Sequence, residues 1–349
     1  MDRSGGEDAT PETLADLGEW ELIRRLGAFA PARQFSDDAA LLPAAHPSSG
    51  DLVINTDVLV EGIHFSDATT GPTDVGWRAA AANLSDLAAM GCTEVVGLTV
   101  ALVAPAPTPW HWVEGVYNGL AAALRRYGGV LLGGDCSSGA QRLLAITALG
   151  RLPMAGGPIR RSDGQPGDLL VCTGSHGLSR LGLALLQGEL RFPFAETDDP
   201  ALKALAAQAV EAHRHPQPRL EAVQVLIASR PVELPWRVAG CDSSDGLAAA
   251  VRAIAASSGC AALLDRALLP LEEAMAALPH AVAWCLEGGE DFELVLALPQ
   301  VWAEALLKSL PDCRLIGELV AGPAGDLLWR GDDKRTKQPT AGGGYQHFH

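Results

Sequence analysis

Short apolar runs alternate with segments of helical length along the whole chain, and this alternation limits the fold more than any other feature. Runs rich in Val, Leu and Ile at 39–42, 52–56, 95–103, 129–132 and 143–150 have the length of buried strands, as do 169–173, 237–241 and 292–298. Between them, 12–29, 73–90, 110–127, 177–188, 201–213, 219–228 and 246–258 read as helices, with Thr73 the expected cap of the second and Gly91 its stop. A last helix and two short strands are expected before a polar tail. Strands and helices mixed in both halves predict an α/β or α+β fold with two domains. The Gly-, Pro- and Arg-rich stretch 153–168 is the natural boundary, giving units 1–152 and 153–349 within a chain of 349 residues.

Composition narrows the function. With 48% hydrophobic and 19% charged residues the chain can bury a core, and its formal net charge of −16 argues against a nucleic-acid partner. No apolar run of about 18 residues is free of charge, Gly and Pro, so no membrane span is expected. The acidic, polar start is unlike a secretory signal, which predicts a cytoplasmic location. The seven cysteines are scattered and form no C-x-x-C pair; they read as small core residues, not as zinc ligands or a disulfide framework.

The carboxylates are placed more tellingly. Asp38, Asp57, Asp135, Asp242, Asp245 and Asp291 stand at ends of apolar runs or in glycine-flanked turns, where scaffolds tend to present functional groups. Asp86 lies inside the Ala-rich helix 73–90 and shares a face with Asn83 and Met90. Two carboxylates about 4 Å apart repel by roughly 4 kcal/mol at an effective dielectric near 20, so a gathered set takes up protons or binds cations. Oxygen ligands without a His or Cys cluster favour hard ions, Mg²⁺ first. Each Asp also has the plainer reading of a helix cap or turn residue; their number at run ends favours metal. Gly133-Gly134-Asp135 and Gly288-Gly289-Glu290-Asp291 would let backbone approach phosphate closely. No P-loop is present, and no G-x-G-x-x-G follows the first strand. Arg160 and Arg161 read either as phosphate ligands or as a solvated pair.

Taken in order, DDAALL at 37–42, NTDVLVEGIHF at 55–65, NLSDLAAMG at 83–91, GGD at 133–135, DSSDGL at 242–247 and GGEDFEL at 288–294 resemble the thiamine-monophosphate kinase family. That family belongs with the aminoimidazole ribonucleotide synthetase-like ATP enzymes. The resemblance spans the chain from about residue 19 to its end. It implies a two-domain PurM-like fold, a homodimer whose N-terminal sheets pair into a shared barrel, and an active site in the cleft between domains. It also implies ATP, several Mg²⁺ ions and transfer of the γ-phosphoryl group to the phosphate of thiamine monophosphate.

Carried over by motif, Asp38, Thr56, Asp57, Asp86, Asp135, Asp242 and Asp245 would hold metal, with Asp57, Asp135 and Asp245 nearest the chemistry. Tyr117, Gly134, Asp135, Arg161 and Ser244 would meet ATP, while His64, Glu290 and Tyr345 would face the thiamine phosphate. His64 could instead be a packing residue and Tyr345 a frayed tail residue, although an aromatic after three glycines suits stacking on a ring. The sequence departs from the family pattern at Ser36, Asn55, Cys136 and Leu178, where Gly, Ser, Thr and Asp are usual; Asn55 keeps a carbonyl oxygen for a cation. Rival readings are a sister ATP enzyme of the same fold, a non-catalytic nucleotide-binding protein and a two-metal phosphohydrolase. A selenophosphate synthetase would need a reactive Cys near the N-terminus, and none precedes Cys92.

Overall fold

The computed structural model describes residues 13–32, 35–44, 46, 50–190 and 198–331. Its first half holds α1 (Leu14–Leu26), β1 (Ala40–Leu42), β2 (Leu52–Val60), α2 (Pro72–Ala89), β3 (Glu94–Ala104), α3 (Trp110–Tyr127), β4 (Val130–Ser138) and β5 (Leu143–Arg151). These strands form one sheet in the order β1-β2-β5-β3-β4. β3 and β4 run parallel, joined by α3 as a crossover, and the other neighbours are antiparallel.

The second half holds β6 (Leu169–Cys172), α4 (Leu178–Leu186), α5 (Pro200–Arg214), α6 (Leu220–Ala228), β7 (Ala239–Asp242), α7 (Leu247–Ser257), β8 (Ala261–Leu264), α8 (Glu273–Ala276), α9 (Ala281–Glu287), β9 (Leu294–Leu298), α10 (Gln300–Ser309), β10 (Arg314–Val320) and β11 (Leu327–Trp329). Its sheet has the order β11-β8-β10-β6-β9-β7. The molecule is therefore a two-domain mixed α/β protein with one sheet in each domain.

α2 is the helix on which both halves converge. Twelve of its 18 residues are buried, in a core that also takes in Leu220, Val223 and Leu226 of α6 and Trp302 of α10. Glycines let α3 approach it closely: a Cβ on Gly76 would lie 1.9 Å from the Val116 carbonyl oxygen, and one on Gly119 would lie 2.0 Å from that of Thr73. The helix is capped at Gly71 and not at Thr73, because Pro72 suits the first turn and Asp74 accepts the Gly71 N–H at 3.0 Å.

On the first sheet one face is buried by the helices, as the alternation of Leu144, Ile146 and Ala148 on β5 illustrates. The opposite face and the β4 edge are open: Val58, Val130, Leu131 and Leu132 are exposed. Two strands run past their expected ends, carrying Asp57 and Asp135 into mid-strand. Asp57 keeps its register with Ile146, and pairing with neighbours outweighs the poor strand preference of Asp. β8, α8 and α9 were not expected from the sequence. Six cysteines are buried as expected, whereas Cys136 on β4 is exposed. Among the described residues no helix is long and apolar enough to cross a membrane.

Candidate active site

Three carboxylates from separate elements meet between the domains. Asp38 in the turn before β1, Asp86 on α2 and Asp242 at the end of β7 each offer an oxygen within 4.8 Å of the others. Asp57 on β2 and Asp245 after β7 border the same cleft, of about 800 Å³, with Asp86 and Asp242. Burial, then the field of neighbouring acids, lifts these groups above the ordinary carboxylate range. Asp38 rises to about 7, against the opposing pull of Arg161, and Asp57 and Asp245 rise to about 6. Asp86 is raised well above its usual value, and burial raises Asp242 even though Ser85 and Ser244 donate to it at 2.7 and 3.2 Å.

Asn55 supplies a separate sign that a cation belongs here. Its amide donates to Asp86 at 2.8 Å and to Asn83 at 3.2 Å, while its carbonyl oxygen is buried with no hydrogen-bond partner. An orphaned oxygen beside crowded carboxylates is costly unless something positive meets it. The donor set, all oxygen, fits a hard divalent cation.

The boundary arginines do not lie free in solvent. Arg161 pairs with Asp38, its amide donates to Asp37 at 3.0 Å, and Arg160 reaches Asp37 at 3.3 Å. Nε of Arg161 is buried without a partner, and Arg161 is not among the residues that line the cleft.

His64 and Glu290 line the same cleft. Nδ1 of His64 accepts the Val60 amide at 3.1 Å. Glu290 and Phe292 both take positive φ, 57° and 51°, a strained conformation for such residues. Between them Asp291 accepts the amides of Gly177 and Ser179 at 2.7 and 3.1 Å, clamping the turn to the start of α4, and burial lifts it to about 7. This gives the Leu178 departure a physical setting: Leu178 is buried in an apolar cluster with Leu181 and Met275, and Asp291 supplies the carboxylate at this helix start.

Several expected residues are not brought together in one chain. Gly134 and Asp135 lie on the exposed edge strand β4. The row Asp57, Ile146, Val100, Gly134 crosses three strand spacings, about 14 Å. Tyr117 lines a separate hollow of about 280 Å³ with Leu124, Val130 and Leu131. Thr56 borders the cleft, but its hydroxyl faces Thr147 at 2.8 Å. Tyr345 lies outside the described residues. Conversely, sequence reasoning missed Arg78, Arg180 and His213, all of which border the cleft. For Arg78 and Arg180 the signal was a basic residue on an Ala- or Leu-rich helix, the kind of signal that singled out Asp86; His213 sits among other polar residues on α5 and had none.

Comparison with known proteins places this architecture. The model for the N-terminal domain of AIR synthase related proteins matches residues 36–152, and that for their C-terminal domain matches 165–330. The thiamine-monophosphate kinase of Prochlorococcus marinus is 45% identical over 350 residues, covering 98% of this chain and 99% of that protein. The chain belongs to the thiamine-monophosphate kinase family. Another thiamine-monophosphate kinase, from Synechococcus elongatus, is 46% identical over 337 residues, covering 96% and 98%. AaThiL complexed with AMPPCP and TMP has a similar structure, with a TM-score of 0.79 and 26% identity, covering 97% of this chain and all of that one. Against the thiamine-monophosphate kinase pattern, Asn55 still presents an oxygen beside the acid cluster, while Cys136 sits on the open β4 edge next to Asp135.

Proposed function

We propose that the chain transfers the γ-phosphoryl group of ATP to the phosphate of thiamine monophosphate, giving thiamine diphosphate. The observation that carries this reading is the acid cluster with its orphaned Asn55 oxygen, two of whose acids, Asp86 and Asp242, line the interdomain cleft. Two anionic phosphates repel unless cations lie between them, and phosphoryl transfer needs alignment and charge neutralisation more than covalent chemistry. The names of the relatives and the AaThiL complex with AMPPCP and TMP support the same reading.

Asp38, Asp86 and Asp242, with Asn55, Asp57 and Asp245 beside them, would hold several Mg²⁺ ions, which when bound offset the charge of both phosphates. Asp57 and Asp245 border the cleft and stand nearest the reacting groups. Ser244 and Arg161 serve ATP, while His64, Glu290 and Tyr345 serve the acceptor. No side chain need act as nucleophile, because the acceptor phosphate carries an ionised oxygen at neutral pH.

A homodimer completes the arrangement. The open apolar face of the first sheet and the exposed residues Val130, Leu131 and Leu132 on its edge support pairing of the N-terminal units, 1–152, of two copies. Asp135, Gly134 and Tyr117 then serve ATP from the partner copy, outside the cleft of their own chain. The reaction belongs in the cytoplasm, where ATP is maintained. The test incubates purified protein with ATP, Mg²⁺ and thiamine monophosphate and separates the thiamine products by chromatography. Absence of thiamine diphosphate, at protein concentrations where ATP binding is measurable, overturns the reading.

A further inference from the structure

Arg78 has no part in the function just proposed, yet it is among the most deeply buried charges in the cleft wall, with 3% of its side chain exposed. Burying a guanidinium so far from water is unfavourable unless its donors are matched. Here Nη2 donates to Glu290 Oε1 at 2.5 Å and lies 3.4 Å from the His64 carbonyl, and Nη1 donates to the carbonyl of His213, while Nε is buried without a partner. Arg78 and His64 belong to the first domain, Glu290 and His213 to the second. These four residues therefore join the two domains at the cleft wall.

Glu290 is held from two directions. Its backbone takes a positive φ and is held by its N–H, which donates to the Ser244 carbonyl at 2.7 Å, and by the clamped Asp291 next to it. Its side chain is then set by Arg78, which engages Oε1. Oε2 lies 3.7 Å from His213 Nδ1, beyond hydrogen-bond reach. His213 stays neutral there, since burial and then the field of Arg78 push it down to about 3. A cationic side chain beside a thiazolium ring would repel it if unpaired. Paired with Glu290, its charge is cancelled and it leaves one carboxylate oxygen oriented and unengaged.

We propose that Arg78 is a positioning residue for the acceptor: it fixes Glu290 through one oxygen, leaves the other to accept from the thiamine part of the acceptor, and joins the two domains at this half of the site. The proposal rests on the kinase reading and adds a residue to it. The test measures kcat and KM for both substrates, ATP affinity by calorimetry and melting temperature, in the wild type, Arg78→Met, Arg78→Lys, Glu290→Gln and the double variant Arg78→Met/Glu290→Gln. Arg78→Met is expected to raise KM for thiamine monophosphate roughly 10- to 100-fold, as loss of a charged hydrogen bond would, with ATP affinity within about two-fold. Arg78→Lys recovers part of the loss, and adding Glu290→Gln to Arg78→Met costs little more, because both act through one contact.

A general structural role would instead weaken both substrates together and give additive losses, and that result overturns the proposal. If Arg78→Met does not fold, Glu290→Gln decides, and an unchanged KM for thiamine monophosphate in it also overturns the proposal. A wild type that makes no thiamine diphosphate overturns the kinase reading and this proposal with it. A working wild type with a normal acceptor KM in Arg78→Met overturns the Arg78 proposal alone.

Discussion

The substitution Asp86→Asn removes one of three carboxylates crowded within 4.8 Å while keeping the side chain's size and an oxygen to accept the Asn55 amide, now at 2.8 Å. Two full charges at that separation repel by about 3.5 kcal/mol at an effective dielectric of 20, and Asp86 feels Asp57, Asp242 and Asp38 together. Burial and neighbouring acids hold Asp38 at about 7 and Asp57 at about 6 in the folded chain, against an ordinary value of 3.8. The folded state therefore binds more protons than the unfolded one across this window. The resulting stability is fully present below about pH 4 and is lost as the pH rises through about 7. At pH 8 without metal, Asp86→Asn is expected to stabilise the fold by about 3 kcal/mol, roughly 5 °C in melting temperature. At pH 5 protonation has already relieved the crowding, and the gain falls below about 1 kcal/mol. The assay is thermal unfolding by circular dichroism in EDTA at both pH values, repeated with saturating Mg²⁺, which should stabilise the wild type far more than the variant. Turnover is lost in either case. A variant that melts below the wild type in EDTA at pH 8 would refute the reasoning, because mutual repulsion would then not dominate the cluster.

Other substitutions probe different links. Asp57→Asn is expected to lower kcat by about a thousandfold with an unchanged circular dichroism spectrum; an unfolded variant would point to a structural role. Leu131→Lys, on the open edge strand, should convert the proposed dimer to monomer in sedimentation velocity and reduce turnover in parallel. Arg219 grips the buried Glu293 through two bonds of 2.6 and 2.5 Å, so Arg219→Met should cost about 3–5 kcal/mol in urea unfolding.

The elements that carry the acid cluster were legible because each announces itself locally. β2 and α2 are long and strongly patterned, and an Asp on an Ala-rich helix is conspicuous. What escaped depends on partners distant in sequence. The four residues of β8 (AALL) form a strand because β10 and β11 lie on either side, and α9 closes a core built by others. The sequence likewise placed Asp57 and Asp135 in similar settings. Only the strand order reveals that β5 and β3 separate their strands. Arg78 was overlooked because its meaning lies in Glu290, 212 positions along the chain.

The placement of Asp135 on an edge strand, strands away from Asp57 of its own chain, has a consequence for mixtures of defective copies. If each catalytic centre draws Asp57 from one copy and Asp135 from the other, a copy lacking the first and a copy lacking the second are each inactive as pure dimers. In a mixed dimer both defects fall into the same centre and leave the other centre whole. Random pairing makes about half of the dimers mixed, so about a quarter of all centres regain function. Two failed alleles in one cell would then complement each other at the level of the protein, and a single chain would not be the unit of inheritance for this activity.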